Sequence, residues 1–315
     1  MTQKEPFLEA LDKKILLFDG AMGTEIQKLE PRPEDFPDNK DGFNDGLILT
    51  KPEWLKKIHK SYLEAGADCI ETNSFGSNKI KLDEYGFGDQ TIEFNKKIAE
   101  LAVEVASEFT DKPRYVIGSM GPTGFLPSSN DPDLGQKPLD EIRQAFELQA
   151  EGLILGGVDA LLIETSQDIL EVKLVIEASH NAIKKTGKKV PIIANTTLDK
   201  YGKMLLGTNI QAAYTTVSGM GIDVFGLNCS TGPIEMTQSV RWLNEQNEHR
   251  LLVVPNAGMP ENVGGQAHYK MTPDNMAKAL KDFISEFGKI RIIGGCCGTN
   301  PIHIKALRKV IDEKA

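Results

Sequence analysis

Histidine and cysteine are scarce in this chain, with five and four copies among 315 residues. So few cysteines exclude a disulfide-dense scaffold, and the histidines show no metal-ligand spacing among themselves. Basic residues are also short. Lys and Arg total 36 against 45 Asp and Glu, a formal net charge of −9. That balance argues against nucleic acid, because phosphate binding needs clustered cations. No apolar run approaches the length of a membrane span. The opening MTQKEPFLEALDKK lacks the apolar core of a secretory signal. Together these absences predict a soluble, cytoplasmic protein that touches neither membrane nor nucleic acid.

What is present is a repeating alternation. Eight short, β-branched apolar runs recur along the chain: KILLFDG, ADCIETNSF, RYVIGSMG, ALLIETS, PIIANTT, DVFGLNCS, LLVVPNAG and RIIGGCCG. Nearly continuous hydrophobicity is the mark of strands buried on both faces. Between them lie amphipathic stretches such as EWLKKIHKSYLEAG, QTIEFNKKIAELAVEVASEF, LDEIRQAFELQAEGLILGG and NPIHIKALRKVIDEKA. Several end in Gly, a common helix stop. Eight strand-then-helix units predict an α/β (βα)8 TIM barrel, one domain over residues 1–315. Two long turn-rich segments, Thr24 to Lys51 and Pro122 to Pro138, follow strand ends. In a barrel these are βα loops on the C-terminal face, where active sites sit.

The strand ends carry polar residues: Asp19, Glu71 and Thr72, Ser119, Glu164, Asn195, Asn228 with Cys229, Asn256, and Cys296 with Cys297. All are expected at one mouth. Cys229 follows the sixth run and Cys296–Cys297 the eighth, so linear zinc-finger spacing is absent. Neighbours on a regular strand face opposite sides. Both paired thiols reach one ion only if the backbone bends, which Gly294, Gly295 and Gly298 permit. Three thiolates suit Zn²⁺ and leave a fourth position open, as in catalytic sites. The plainer alternatives are buried cysteines acting as small hydrophobes, or GGCCGT as a phosphate loop. Cys69 is assigned to the core.

Asp19 and Glu164 have no Lys or Arg beside them in sequence, and buried carboxylates need a cation. A substrate ammonium meets that need; capping a helix or turn is the alternative. Backbone N–H groups in GAMG and SMGPTG are candidates for a substrate carboxylate. Asn256 is either a weak oxygen ligand for the metal or a turn residue. Thr72, Ser119, Asn195 and Asn228 are candidates to orient substrate or ligands. His59, His180 and His303 fall in predicted helices, His249 in a charged loop, and His268 in a loop bordering the mouth.

The motifs DGAMGT (Asp19–Thr24), EAGADCIETNSF (Glu64–Phe75), GSMGPTG (Gly118–Gly124), LLIET (Leu161–Thr165), GLNCSTGP (Gly226–Pro233), PNAGMP (Pro255–Pro260) and GGCCGT (Gly294–Thr299) span the chain. Through them it resembles the homocysteine S-methyltransferase family over essentially its whole length. GADCIETNSF, with FNDGLILTKPE upstream, is most similar to the N-terminal homocysteine-binding module of cobalamin-dependent methionine synthases. The resemblance implies a (βα)8 barrel and zinc held by Cys229, Cys296 and Cys297, with Asn256 as a fourth ligand before substrate binds. It implies that Asp19 and Glu164 hold the homocysteine ammonium, with the carboxylate received near Gly20, Ala21, Met22 and Ser119. The implied reaction is methyl transfer to the thiol of L-homocysteine, giving L-methionine. Methylcobalamin on another domain or a separate corrinoid protein is the expected donor, because the sequence stops at Ala315, just after the last barrel helix. S-methylmethionine and betaine are the alternative donors within the family. A phosphate-binding barrel enzyme and a non-catalytic thiol- or metal-binding module are the alternatives outside it.

Overall fold

A computed structural model describes residues 4–264 and 266–314. Each of the eight apolar runs becomes a strand of one parallel sheet. The strands are β1 (Leu16–Leu17), β2 (Cys69–Glu71), β3 (Tyr115–Met120), β4 (Ala160–Ile163), β5 (Ile192–Thr196), β6 (Val224–Asn228) and β7 (Arg250–Val254). A short antiparallel hairpin, β8 (Glu261–Val263) and β9 (Gln266–His268), interrupts the alternation before β10 (Ile290–Ile293). The order β1-β10-β7-β6-β5-β4-β3-β2 is that of a barrel in which each new strand joins its predecessor. The four amphipathic stretches fold as helices at Pro52–Glu64, Thr91–Ser107, Leu139–Leu155 and Pro301–Asp312.

Alternation along the strands builds two apolar layers. Leu16, Cys69, Tyr115, Ile117, Leu162, Ile193, Leu252 and Ile292 point inward and fill the barrel. Apolar neighbours on the strands such as Leu17, Ile70, Val116, Leu161, Phe225 and Val253 pack outward against the helices. The helix Phe7–Lys13 closes the N-terminal end, where Phe7 meets the Tyr115 ring edge-on at 5.4 Å. The open end is therefore the C-terminal one. Cys69 is fully buried in the inner layer, as expected of a small hydrophobe.

Three strands begin with the same device. The sequences Gly66-Ala67-Asp68, Gly157-Val158-Asp159 and Gly221-Ile222-Asp223 each open on a glycine in the left-handed region, with φ of 103°, 94° and 75°. Each aspartate N–H donates to the preceding strand, at Leu17, Val116 and Ile192. Each carboxylate accepts the N–H of that same residue, at 2.9, 2.7 and 2.9 Å. At the seam between β1 and β2 these bonds do the joining. There Asp68 clasps Leu17, and higher up the Asp19 Oδ2 accepts the Glu71 N–H at 3.0 Å.

The long loop after β1 is folded onto the loop after β2. Phe43 stacks on Tyr85 with centroids 4.1 Å apart, and Asn73 donates to the Asn44 carbonyl at 2.9 Å. The Pro122–Pro138 loop is anchored elsewhere: Thr123 bonds Glu171 and Ser128 bonds Asp168 through both N–H and hydroxyl. No described helix is long and apolar enough to cross a membrane.

Candidate active site and metal centre

A cavity of about 480 Å³ opens at the C-terminal mouth. Its floor is lined by Asp19, Glu71, Ser119, Glu164, Cys229, Cys296 and Cys297, and its outer wall by Phe43, Asn44, Phe75 and Tyr85. Gly20, Ala21, Met22 and Thr72 border it too.

Both paired cysteines lie in the turn beyond β10, so strand alternation does not separate them. The turn is pinned by Cys296 N–H to the Pro255 carbonyl (2.8 Å) and Ala257 N–H to the Cys297 carbonyl (2.9 Å). Gly298 takes φ 78° and lies against Tyr269, whose ring a Cβ would strike. Cys229 directly follows β6 with φ 59°, and Ser230 after it takes 61°. Left-handed backbone at such residues costs about 1–3 kcal/mol each and gathers at functional sites. The result is three sulfurs all within 4.8 Å of one another. Cys297 Sγ lies 3.8 Å from Cys229 Sγ and 4.0 Å from Cys296 Sγ. Tetrahedral zinc with bonds of about 2.3 Å separates its sulfurs by about 3.8 Å. The donor set and its spacing fit a zinc ion.

The three thiols are linked through Cys297. Hydrogen bonds from Cys229 and Cys296 draw Cys297 down to about 3, and the bond with Tyr269 adds to this. Hydrogen bonds to Cys229 and Cys297, with burial, push Cys296 well up. Asn256 follows Pro255 and precedes Ala257, the residues bonded to the cysteine turn. It is 2% exposed, and its Oδ1 is a buried acceptor with no partner among the described residues.

The carboxylates form the second half of the floor. Asp19 is 3% exposed and Glu164 7%. Burial raises Asp19 well above the usual carboxylate range, opposed by the Glu71 N–H, with Glu164 raising it further. Burial lifts Glu164 to about 7 against the pull of the Ser119 hydroxyl. That hydroxyl donates at 2.5 Å, and Asn228 Nδ2 reaches the other Glu164 oxygen at 3.2 Å. Asn228 also donates to Thr165 Oγ1 and accepts the Thr165 N–H, so it ties Glu164 to the strand that delivers Cys229. None of the ion pairs among the described residues involves Asp19, Glu71 or Glu164.

The structure places the remaining expected residues unevenly. Thr72 Oγ1 accepts the Ser119 N–H at 2.9 Å, so both are tied into the wall. Ala21 N–H donates to Thr299 Oγ1 at 3.2 Å. Asn195 is buried in β5. His59 is buried, and desolvation lowers it to about 4. His180 bonds the Met220 carbonyl, His249 the Tyr214 hydroxyl, and His303 both Asn300 and the Met271 carbonyl. His268 is exposed on β9. None of the five lines the cavity among the described residues. Glu71, Tyr269 and Thr299 were not singled out as site residues by sequence. Glu71 stood beside Thr72 at a strand end, and only strand alternation separates their two faces.

Residues 16–311 match the sequence profile of the homocysteine S-methyltransferase family. This chain belongs to that family. Two curated relatives, the methionine synthases of Mycobacterium tuberculosis and Mycobacterium leprae, are each 40% identical over 306 residues. Those alignments take in 96% of this chain but 25% of each relative, so the chain spans about a quarter of their length. The metallated homocysteine methyltransferase MmuM of Escherichia coli superposes with a TM-score of 0.75 at 22% identity, covering 97% of this chain and 99% of that one. Its apo form gives 0.69. At that identity the likeness establishes the (βα)8 fold.

Proposed function

We propose that this chain transfers a methyl group to the thiol of L-homocysteine, giving L-methionine, with zinc held by Cys229, Cys296 and Cys297. The observation that carries the reading is one cavity floor with three converging sulfurs on one side and buried, cation-free carboxylates on the other. A thiol and an ammonium on one small molecule answer both halves. The family assignment agrees with this reading.

Asp19 and Glu164 bind the ammonium, which offsets their burial. Ser119 and Asn228 hold Glu164 in place for it. The substrate carboxylate lies toward Gly20, Ala21 and Met22, and Asn256 is the candidate fourth ligand before substrate arrives. Zinc bound at the cysteines supplies Lewis acidity that lowers the pKa of a coordinated thiol. The loops carrying Phe43, Phe75 and Tyr85 wall off water from the thiol. No protein base is needed for the methyl transfer itself, because the attacking sulfur has already lost its proton.

The methyl donor is methylcobalamin carried on another domain or protein. Tyr201, Leu205, Ile234, Met259 and Val263 are exposed on loops and a helix start that follow β5, β6 and β7. An apolar rim of this kind suits a docking macromolecule. The test is zinc content together with methionine formation from free methylcobalamin. About one zinc per chain and turnover are expected, and Cys229→Ala, Cys296→Ala and Cys297→Ala each bring both to background. Turnover by a zinc-free variant would overturn the reading.

A further inference from the structure

Three carboxyl groups meet on the cavity floor, and a single ammonium leaves them unbalanced. Asp19 comes from β1, Glu71 from β2 and Glu164 from β4. Asp19 has a donor in the Glu71 N–H, and Glu164 has two, in Ser119 and Asn228. Glu71 differs from both. Among the described residues no N–H group donates to its carboxyl; its side-chain hydrogen bond runs to Glu164. Two carboxyl groups in hydrogen-bond contact hold a proton between them, since two like charges at that range do not both persist. The proton belongs on the member that lacks other donors.

We propose that Glu71 carries a proton shared with Glu164 before an amino acid binds, and that the incoming ammonium displaces this proton to solvent. This rests on reading the cavity as a homocysteine site. The groups facing Glu71 are Asp19, Glu164 and the Tyr62 hydroxyl from the helix Pro52–Glu64. All are acidic, and Lys81, which also lines the cavity, pairs with Glu84 at 3.0 Å. Burial and the two neighbouring carboxylates push Glu71 well above the ordinary range. When R–NH₃⁺ enters, the Glu71 O–H gives its proton to bulk water and the carboxylate accepts an N–H from the ligand. Charge on the floor then rises by one negative unit against one positive ligand group. Glu71 is thus a substrate-binding residue that makes amino-acid binding proton-linked. Its affinity contribution grows as pH rises, because a proton leaves on binding.

The test is calorimetric titration of the zinc-loaded protein near neutral pH, in two buffers of different ionisation enthalpy. The ligands are L-homocysteine and 4-mercaptobutanoate, which keeps the thiol and lacks the amino group. Both lose the thiol proton, so their difference isolates the carboxyl cluster. Homocysteine is expected to release about one proton more than the amine-free thiol. In Glu71→Gln that excess disappears while zinc content holds. Equal release by the two ligands in the wild type, or an undiminished excess in Glu71→Gln, overturns the proposal. A second measurement needs no variant: the infrared difference spectrum on homocysteine binding to the wild type should show a loss of protonated-carboxyl absorption that 4-mercaptobutanoate does not produce. A difference spectrum without that loss overturns the proposal as well. Failure of the homocysteine reading looks different, because then homocysteine does not bind at all.

Discussion

Asp19 shows how much one side chain is asked to do. Its Oδ2 accepts the Glu71 N–H across the barrel seam, and its carboxyl faces the ligand cavity. Asp19→Asn keeps the shape and removes the charge. A hydrogen bond to a charged group is worth about 1.5–3 kcal/mol, so the KM for homocysteine should rise roughly 10- to 150-fold. Zinc content should not change, and steady-state kinetics with metal analysis reads both; an unchanged KM would remove Asp19 from the ammonium site. The cysteines and the two carboxylates were legible in sequence because each broke a local rule, a polar or reactive group closing an apolar run. Glu71 was expected at the mouth but given no role there, and Tyr269 was not singled out. Glu71 shares its strand end with Thr72, and which of two neighbours faces inward depends on twist that sequence does not specify. Tyr269 reaches Cys297 only because a hairpin places it against Gly298.

At the level of elements, the repeated Gly-x-Asp feet are a structural device with a clear cost of removal. Asp223 accepts the Ile192 N–H at 2.9 Å while its own N–H donates to the Ile192 carbonyl. Asp223→Ala leaves the Ile192 N–H without its acceptor at the end opposite the cavity. It should lower unfolding stability by about 1–3 kcal/mol in urea titration, and zinc content should stay at the wild-type level. An effect on zinc would mean that the two ends of the barrel are coupled. All eight strands were readable from hydrophobic runs, because parallel strands buried on both faces have no polar alternation to blur them. The hairpin β8–β9 was hidden. Its strands are only three residues each and β8 is exposed throughout, so no burial pattern marks the hairpin. The folding of the first long loop onto the second was hidden too, since it rests on contacts such as Phe43 with Tyr85 that are distant in sequence.

Across the whole molecule, carboxyls raised above their ordinary range gather where the barrel is open, with Asp19, Asp45, Glu71 and Glu164 all lining the cavity. Glu164 is raised from an ordinary 4.5 to about 7 by burial. The folded chain therefore binds a proton there more tightly than the unfolded chain does. The stability this contributes is fully present below about 4.5 and is lost as pH rises through about 7. Asp19 and Glu71 are raised in the same sense. The metal-free protein should thus melt at a higher temperature at mildly acidic pH than at mildly alkaline pH, and homocysteine with zinc should narrow the gap. Thermal melts across that range check it; a melting temperature that climbs steadily into alkali would contradict the burial of these groups. The seam between β1 and β2 has a related consequence. Every other join in the ring is a run of backbone bonds that must slip together. This one is made by a few contacts: the Asp68 N–H to the Leu17 carbonyl, the Asp68 carboxylate to the Leu17 N–H and the Asp19 carboxylate to the Glu71 N–H, with Asp68 itself held by Lys112 and Arg308. The long loop after β1 leaves from this seam, so the same few contacts that close the ring also anchor one wall of its cavity.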